Sequence, residues 1–174
     1  MTIAFIPRKF IKKIWYADSP SVFLPIIYFL LPLSWIYIFF IRLRYFLYNG
    51  GFFSITKIDV PVIVVGNIAV GGSGKTPLVI WLAEYFKAKG LSPGIVSRGY
   101  GGAYTSDIEL VKSTSDPVKV GDEPVLIARN SHCPVVVGKE RVKAAKELIE
   151  KYECDIILSD DGMQHYSLAR DMEL

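Results

Sequence analysis

The stretch that most restricts the fold is Ala69-Val70-Gly71-Gly72-Ser73-Gly74-Lys75-Thr76. It lies between the apolar run Pro61-Val62-Ile63-Val64-Val65 and a helical pattern over positions 76–89. It matches the phosphate-loop pattern G-x-x-x-x-G-K-[ST] except at its first place, where Ala69 stands for glycine. The physics survives that change. Gly71, Gly72 and Gly74 leave backbone N–H groups free to converge on phosphate oxygens. A helix beginning near Thr76 adds the positive end of its dipole. Lys75 supplies a cation for β- and γ-phosphates, and the Thr76 hydroxyl suits Mg²⁺. Such a loop works only where a strand feeds a helix, so the segment from Ala69 and Val70 through Ser73 to Thr76 predicts an α/β nucleotide-binding fold.

The rest of the pattern agrees. Short apolar runs at 61–65, 94–97, 134–137 and 155–158 read as buried strands. Positions 76–89, 124–130 and 139–153 read as helices, the first closed by Gly90. Positions 103–120 read as irregular or hairpin-like, with Ile108, Leu110, Val118 and Val120 as weak strand signals. Strands alternating with helices predict a P-loop NTPase-like parallel sheet with helices on both faces. Ligands of such sheets bind at the carboxyl ends of strands. Three polar clusters fall there: 66–76, Ser97-Arg98-Gly99 and Asp160-Asp161. Cys133 and Cys154 show neither zinc spacing nor a disulfide framework, which favours a reducing compartment. Positions 170–174 read as the opening of another strand, an expectation that the chain continues.

Positions 19–41 hold no charge, while Arg8, Lys9, Lys12 and Lys13 precede them and Arg42 and Arg44 follow. As a helix these 23 residues would run about 34 Å, enough to cross a hydrocarbon core. Trp35, Tyr37, Phe39 and Phe40 gather toward the Arg42 end, as an interfacial belt would. Cations on both flanks leave two leading readings open, a span or a kinked helix dipping into one leaflet, with a buried core helix of a soluble protein as the lesser alternative. Residues 1–60 carry a net +5 and the remainder −2. That asymmetry argues against a nucleic-acid surface and for an anionic membrane face. The expected organisation is a membrane-associated region at 1–48, a linker at 49–60 and the P-loop core at 61–174.

Acidic residues at the end of an apolar strand downstream of a phosphate loop occupy the place of a metal-binding carboxylate, which nominates Asp160 and Asp161. On an extended chain adjacent side chains point to opposite sides, so one of them suffices. No base-reading N-K-x-D follows the loop; Thr56-Lys57-Ile58-Asp59 precedes it, which disfavours a GTP switch. A kinase needs a carboxylate beside the acceptor hydroxyl. Gly121-Asp122-Glu123-Pro124 offers one in Asp122, whose alternative role is to cap the helix at Pro124. Arg98 suits a bidentate clamp on a substrate phosphate or a backbone contact. His132 reads as structural. Arg141 reads as facing either the site or solvent.

The segments VVGNIAVGGSGKTP, VSRGYGG, GDEP and LSDDGMQH, behind an apolar N-terminal stretch, resemble the tetraacyldisaccharide 4'-kinase (lipid A 4'-kinase) family of Gram-negative bacteria. The resemblance covers the N-terminal half of a family member, and the family also lacks the first loop glycine. It implies transfer of the ATP γ-phosphate to the 4'-hydroxyl of an acylated glucosamine disaccharide 1-phosphate, at the cytoplasmic face of the inner membrane. It places Lys75 and Thr76 on ATP and Mg²⁺, makes Asp122 the catalytic carboxylate and Glu123 a metal-side helper, and matches Asp160 and Asp161 to the acidic pair. Gln164 and His165 lie in the same motif, near the substrate. The family also pairs the catalytic aspartate with a histidine from its C-terminal half. A lipid acceptor would explain an apolar, basic anchor on a phosphate-loop enzyme. The competing expectations are a membrane-anchored P-loop ATPase or switch, and an inactive nucleotide-binding fragment.

Overall fold

The computed structural model describes residues 24–67, 74–99, 102 and 107–174. The phosphate-loop residues Ala69, Val70, Gly71, Gly72 and Ser73 and the basic cluster at 8–13 lie outside the described residues. Two compact units divide at Phe52, the second being Phe53–Leu174.

In the first unit, helix α1 covers Leu24–Asn49. Pro32 lies inside it, and Ser34 Oγ donates to the Leu31 carbonyl at 2.7 Å. Side chains from Tyr28 to Phe46 are exposed although nearly all are apolar. A helix apolar on every side suits lipid, not water. Its segment Tyr28–Tyr48 is long and apolar enough to cross a membrane by length and composition. The helix ends where Gly51 turns to φ +76°, and Phe52 N–H donates back to the Leu47 carbonyl at 3.0 Å. Glycine takes that left-handed conformation without steric cost.

In the second unit, strand β1 (Val62–Val65) leads to helix α2 (Lys75–Ala88), then β2 (Pro93–Ser97) and β3 (Ile108–Val111). Two helices follow, α3 (Pro117–Val120) and α4 (Asp122–Ser131). The chain goes on through β4 (Val135–Gly138), α5 (Arg141–Tyr152), β5 (Ile156–Asp160) and β6 (Met172–Glu173). The sheet order is β3-β4-β2-β5-β1-β6, parallel throughout except for antiparallel β3 on β4. Every residue of β1, β2, β4 and β5 is buried. On one face Ile63, Val65, Ile95, Val135 and Val137 pack with Val79, Leu82 and Ala83 of α2 and Ile127 of α4. On the other, Val62, Val64, Val96 and Val136 pack with Ala144, Ala145 and Leu148 of α5. The two-residue alternation of each strand thus supplies two cores.

One expectation changes here. Val118 and Val120, read as weak strand signals, lie in α3. The Asp116 carboxylate accepts from Val118 N–H at 2.9 Å and Pro117 opens the helix, a capped start that outweighs the strand preference of valine. Thr56 bridges to Leu168 and Ile58 is buried, both within the second unit.

Candidate active site

The site forms at the carboxyl ends of β1, β2 and β5. The register pairs Val65, the last residue of β1, with Asp160, the last of β5. Asp160 therefore stands alongside the point from which the chain leaves for the phosphate loop. That chain returns at Gly74, with φ +77°, and Lys75 opens α2. Lys75 Nζ reaches Asp161 Oδ1 at 2.9 Å. Thr76, in the same first turn, is half-buried.

The two aspartates differ because the strand ends between them. Asp160 is still in β5 and 2% exposed. Asp161 takes φ +50°, and its side chain is 64% exposed. Leaving the extended conformation keeps the Asp161 charge within reach of the Asp160 carboxyl, where a continued strand would have sent the two side chains to opposite faces. Burial, with the charges of Glu123 and Asp161 adding to it, pushes the Asp160 carboxyl up to about 6. A hydrogen bond from Ser97 Oγ at 3.3 Å and the charge of Arg141 act the other way. Of the two readings of Arg141, the solvated helix face is overturned and the side facing the end of β5 is the one observed. It is 1% exposed, and its Nη2 donates to the Asp160 carbonyl at 3.3 Å.

Asp122 and Glu123 occupy the first turn of α4, both exposed. The cap position belongs to Gly121, at φ +95° and ψ 151°, with no side-chain capping bond. Asp122 is therefore not a helix cap. Only glycine enters that backbone region readily. With Pro117, Val125, Leu126 and Arg129, the two acids line a surface depression of about 320 Å³. Gly102 lies so close over Lys119, Val120 and Gly121 that a Cβ there would meet their backbone. Gly102 thereby packs on the turn that presents Asp122. Arg98 directly follows Ser97 at the end of β2 and is exposed.

Gln164 and His165 stand in the turn after β5, exposed and half-buried respectively. His165 N–H donates to the Gly162 carbonyl at 3.0 Å. A Cβ at Gly66 would collide with the Met163 side chain, so glycine is needed for the turn to close over the end of β1. His132, by contrast, caps the far end of α4 at φ +53° and lines a separate depression with Cys133 and Cys154. Burial pushes both thiols up, that of Cys154 to about 11. Sequence reasoning passed over Arg170, whose guanidinium reaches Met163, His165 and Glu173. A lone arginine in an irregular stretch carries no periodic signal.

Four segments separated in the chain thus meet here: the Gly74-Lys75-Thr76 turn, the end of β2, the start of α4 and the end of β5. The family model described as tetraacyldisaccharide-1-P 4'-kinase matches residues 26–174. The chain belongs to this family. A tetraacyldisaccharide 4'-kinase of Coxiella burnetii is 50% identical over 143 residues, covering 82% of this chain and 44% of the relative. One from Nitrosococcus oceani is 45% identical over 164 residues, covering 94% and 47%. The crystal structure of LpxK from Aquifex aeolicus in complex with ATP superposes with a TM-score of 0.73 at 39% identity, covering 83% of this chain and 46% of that one. The chain spans about half the length of the curated relatives it matches. The P-loop-type sheet with helices on both faces and the apolar N-terminal helix accord with membership of the 4'-kinase family.

Proposed function

We propose that this chain carries the nucleotide half of an ATP-dependent kinase for the 4'-hydroxyl of a tetraacylated glucosamine disaccharide 1-phosphate. The observation that carries the reading is the ion pair of Lys75, at the start of α2, with Asp161, the residue after Asp160 at the end of β5. A helix N-terminus and an ammonium group attract a polyphosphate. The 4'-kinase relatives and the ATP-bound neighbour support ATP as the donor.

The residues fit a divalent cation. Their donors are hard oxygens, and the Asp160 carboxyl is raised first by burial and then by the charges of Glu123 and Asp161, both of which a bound cation would offset. Among the described residues no three acidic, histidine or cysteine side chains gather to hold a metal by themselves. That suits Mg²⁺, which binds through one or two carboxylates and substrate phosphates. Thr76 and one of Asp160 and Asp161 would hold it, with Glu123 as a metal-side helper; when bound it would neutralise phosphate charge. Lys75 leaves Asp161 to bind the β- and γ-phosphates. Asp122 accepts the proton of the 4'-hydroxyl as its oxygen bonds to the γ-phosphorus, the γ-phosphorus–bridging-oxygen bond breaks and ADP departs. Arg98, Gln164 and His165 contact the substrate. Helix α1 holds the enzyme to the cytoplasmic face of the inner membrane, where the acceptor's acyl chains lie.

The test is transfer of label from [γ-³²P]ATP to the tetraacylated disaccharide 1-phosphate in detergent micelles. Label in the lipid, dependent on Mg²⁺, is the expected outcome. ATP hydrolysis that proceeds equally without the lipid would replace this reading with that of an anchored ATPase.

A further inference from the structure

Arg170 lies outside every motif of the site, yet its environment is built. Its side chain is 14% exposed. Nη1 donates to the Met163 carbonyl at 3.3 Å and to Glu173 Oε1 at 2.7 Å, and Nη2 donates to the His165 carbonyl at 3.0 Å. The guanidinium carbon stands 5.3 Å from the centre of the Tyr166 ring. Glu173 is itself fixed, because it belongs to β6 and registers with Val64 of β1. The arginine therefore ties the turn carrying Gln164 and His165 to the edge of the sheet.

Gly162 N–H reaches the Val65 carbonyl only at 3.4 Å, and the bond from His165 N–H to Gly162 is internal to the turn. The contact of Met163 with Gly66 fixes one side chain, not the carbonyls beyond it. A planar guanidinium presents its donors in a rigid fork, so two carbonyls and a carboxylate held at once define where the turn sits. An ammonium group keeps the charge but lacks the fork.

We propose that Arg170 is a positioning residue: through the carbonyls of Met163 and His165 it presents Gln164 and His165 to the phosphate site. What the positioning is for rests on the kinase reading above; whether it occurs does not. The chain holds two histidines, His132 and His165, which makes the test specific. His132 caps the far end of α4, away from the turn, and serves as an internal control.

The experiment compares the wild-type chain with Arg170→Lys, each labelled with ¹³C at histidine in detergent micelles. A His165→Gln variant assigns the two ring signals. The expected result is that Arg170→Lys shifts or broadens the His165 signal and leaves that of His132 in place. If both signals move, Arg170 is a general structural residue; if neither moves, the turn does not depend on it. Either result overturns the proposal. In the transfer assay the same variant should lower kcat by about 10²-fold, as misplacement of about 1 Å does, with the KM for ATP little changed. Unchanged kcat beside an active wild type would also overturn it. A wild type that transfers nothing would overturn the kinase reading, while the histidine signals still decide the clamp.

Discussion

Asp122→Asn is expected to lower phosphoryl transfer by about 10²- to 10⁴-fold, the usual contribution of a positioned general base. The affinity for Mg-ATP should stay within about threefold of wild type, because the lost interaction belongs to the transition state. The fold does not need the carboxylate as a cap. Gly121 occupies that position without a side-chain bond, and Asp122 is exposed in the first turn of α4. Its structural contribution is limited to charge at a helix N-terminus, about 0.3–1 kcal/mol. Initial rates of label transfer and calorimetric titration with Mg-ATP check both halves. Full transfer by the variant would return Asp122 to a surface role.

Asp160→Asn should have two opposite effects. The carboxyl rises from an ordinary 3.8 to about 6, chiefly by burial. In the unfolded chain the proton leaves near the ordinary value, whereas the folded chain holds it until about pH 6. Between those values the unfolded state binds fewer protons, so wild-type stability falls as pH rises, and above the window the whole cost is present. Two units correspond to about 3 kcal/mol as an upper figure. Asparagine keeps an oxygen to accept the Ser97 hydroxyl and carries no charge to bury. At pH 8 the ligand-free variant should therefore resist denaturant better than wild type, and its stability should be flat across pH 4–6, the window of this shift. Its affinity for Mg-ATP should drop sharply, and wild-type affinity should fall as pH is lowered through about 6. A site that gains stability when its charge is removed holds that charge for function. Chemical denaturation at several pH values, paired with nucleotide titration, separates the two effects. A less stable variant at pH 8 would contradict the assignment.

Much of this site is legible in the chain. Lys75 and Thr76 are marked by a glycine-rich turn between a β-branched run and a helix. The acidic pair is marked by its place after the apolar run that becomes β5. Other features depend on contacts that local patterns do not encode. The four-residue apolar runs look alike, so nothing in them says that β5 inserts between β1 and β2, although that insertion brings Asp160 beside Val65. Arg141 opens an amphipathic helix, where a charge reads equally as solvated or as facing the site, and only the fold decides that it is buried against the end of β5. Asp161 reaches Lys75 through a left-handed backbone that aspartate adopts more readily than most residues, a preference too weak to read in advance. Arg170 acts on backbone carbonyls, which leave no mark in sequence.

Equilibrium binding of Mg-ATP by the chain in detergent micelles, with Lys75→Met beside it, tests the account most directly. Saturable binding by the wild type that is lost in the variant, while both unfold at the same denaturant concentration, is the result expected of a phosphate site built on Lys75. Equal binding by the two, or none by either, would contradict it.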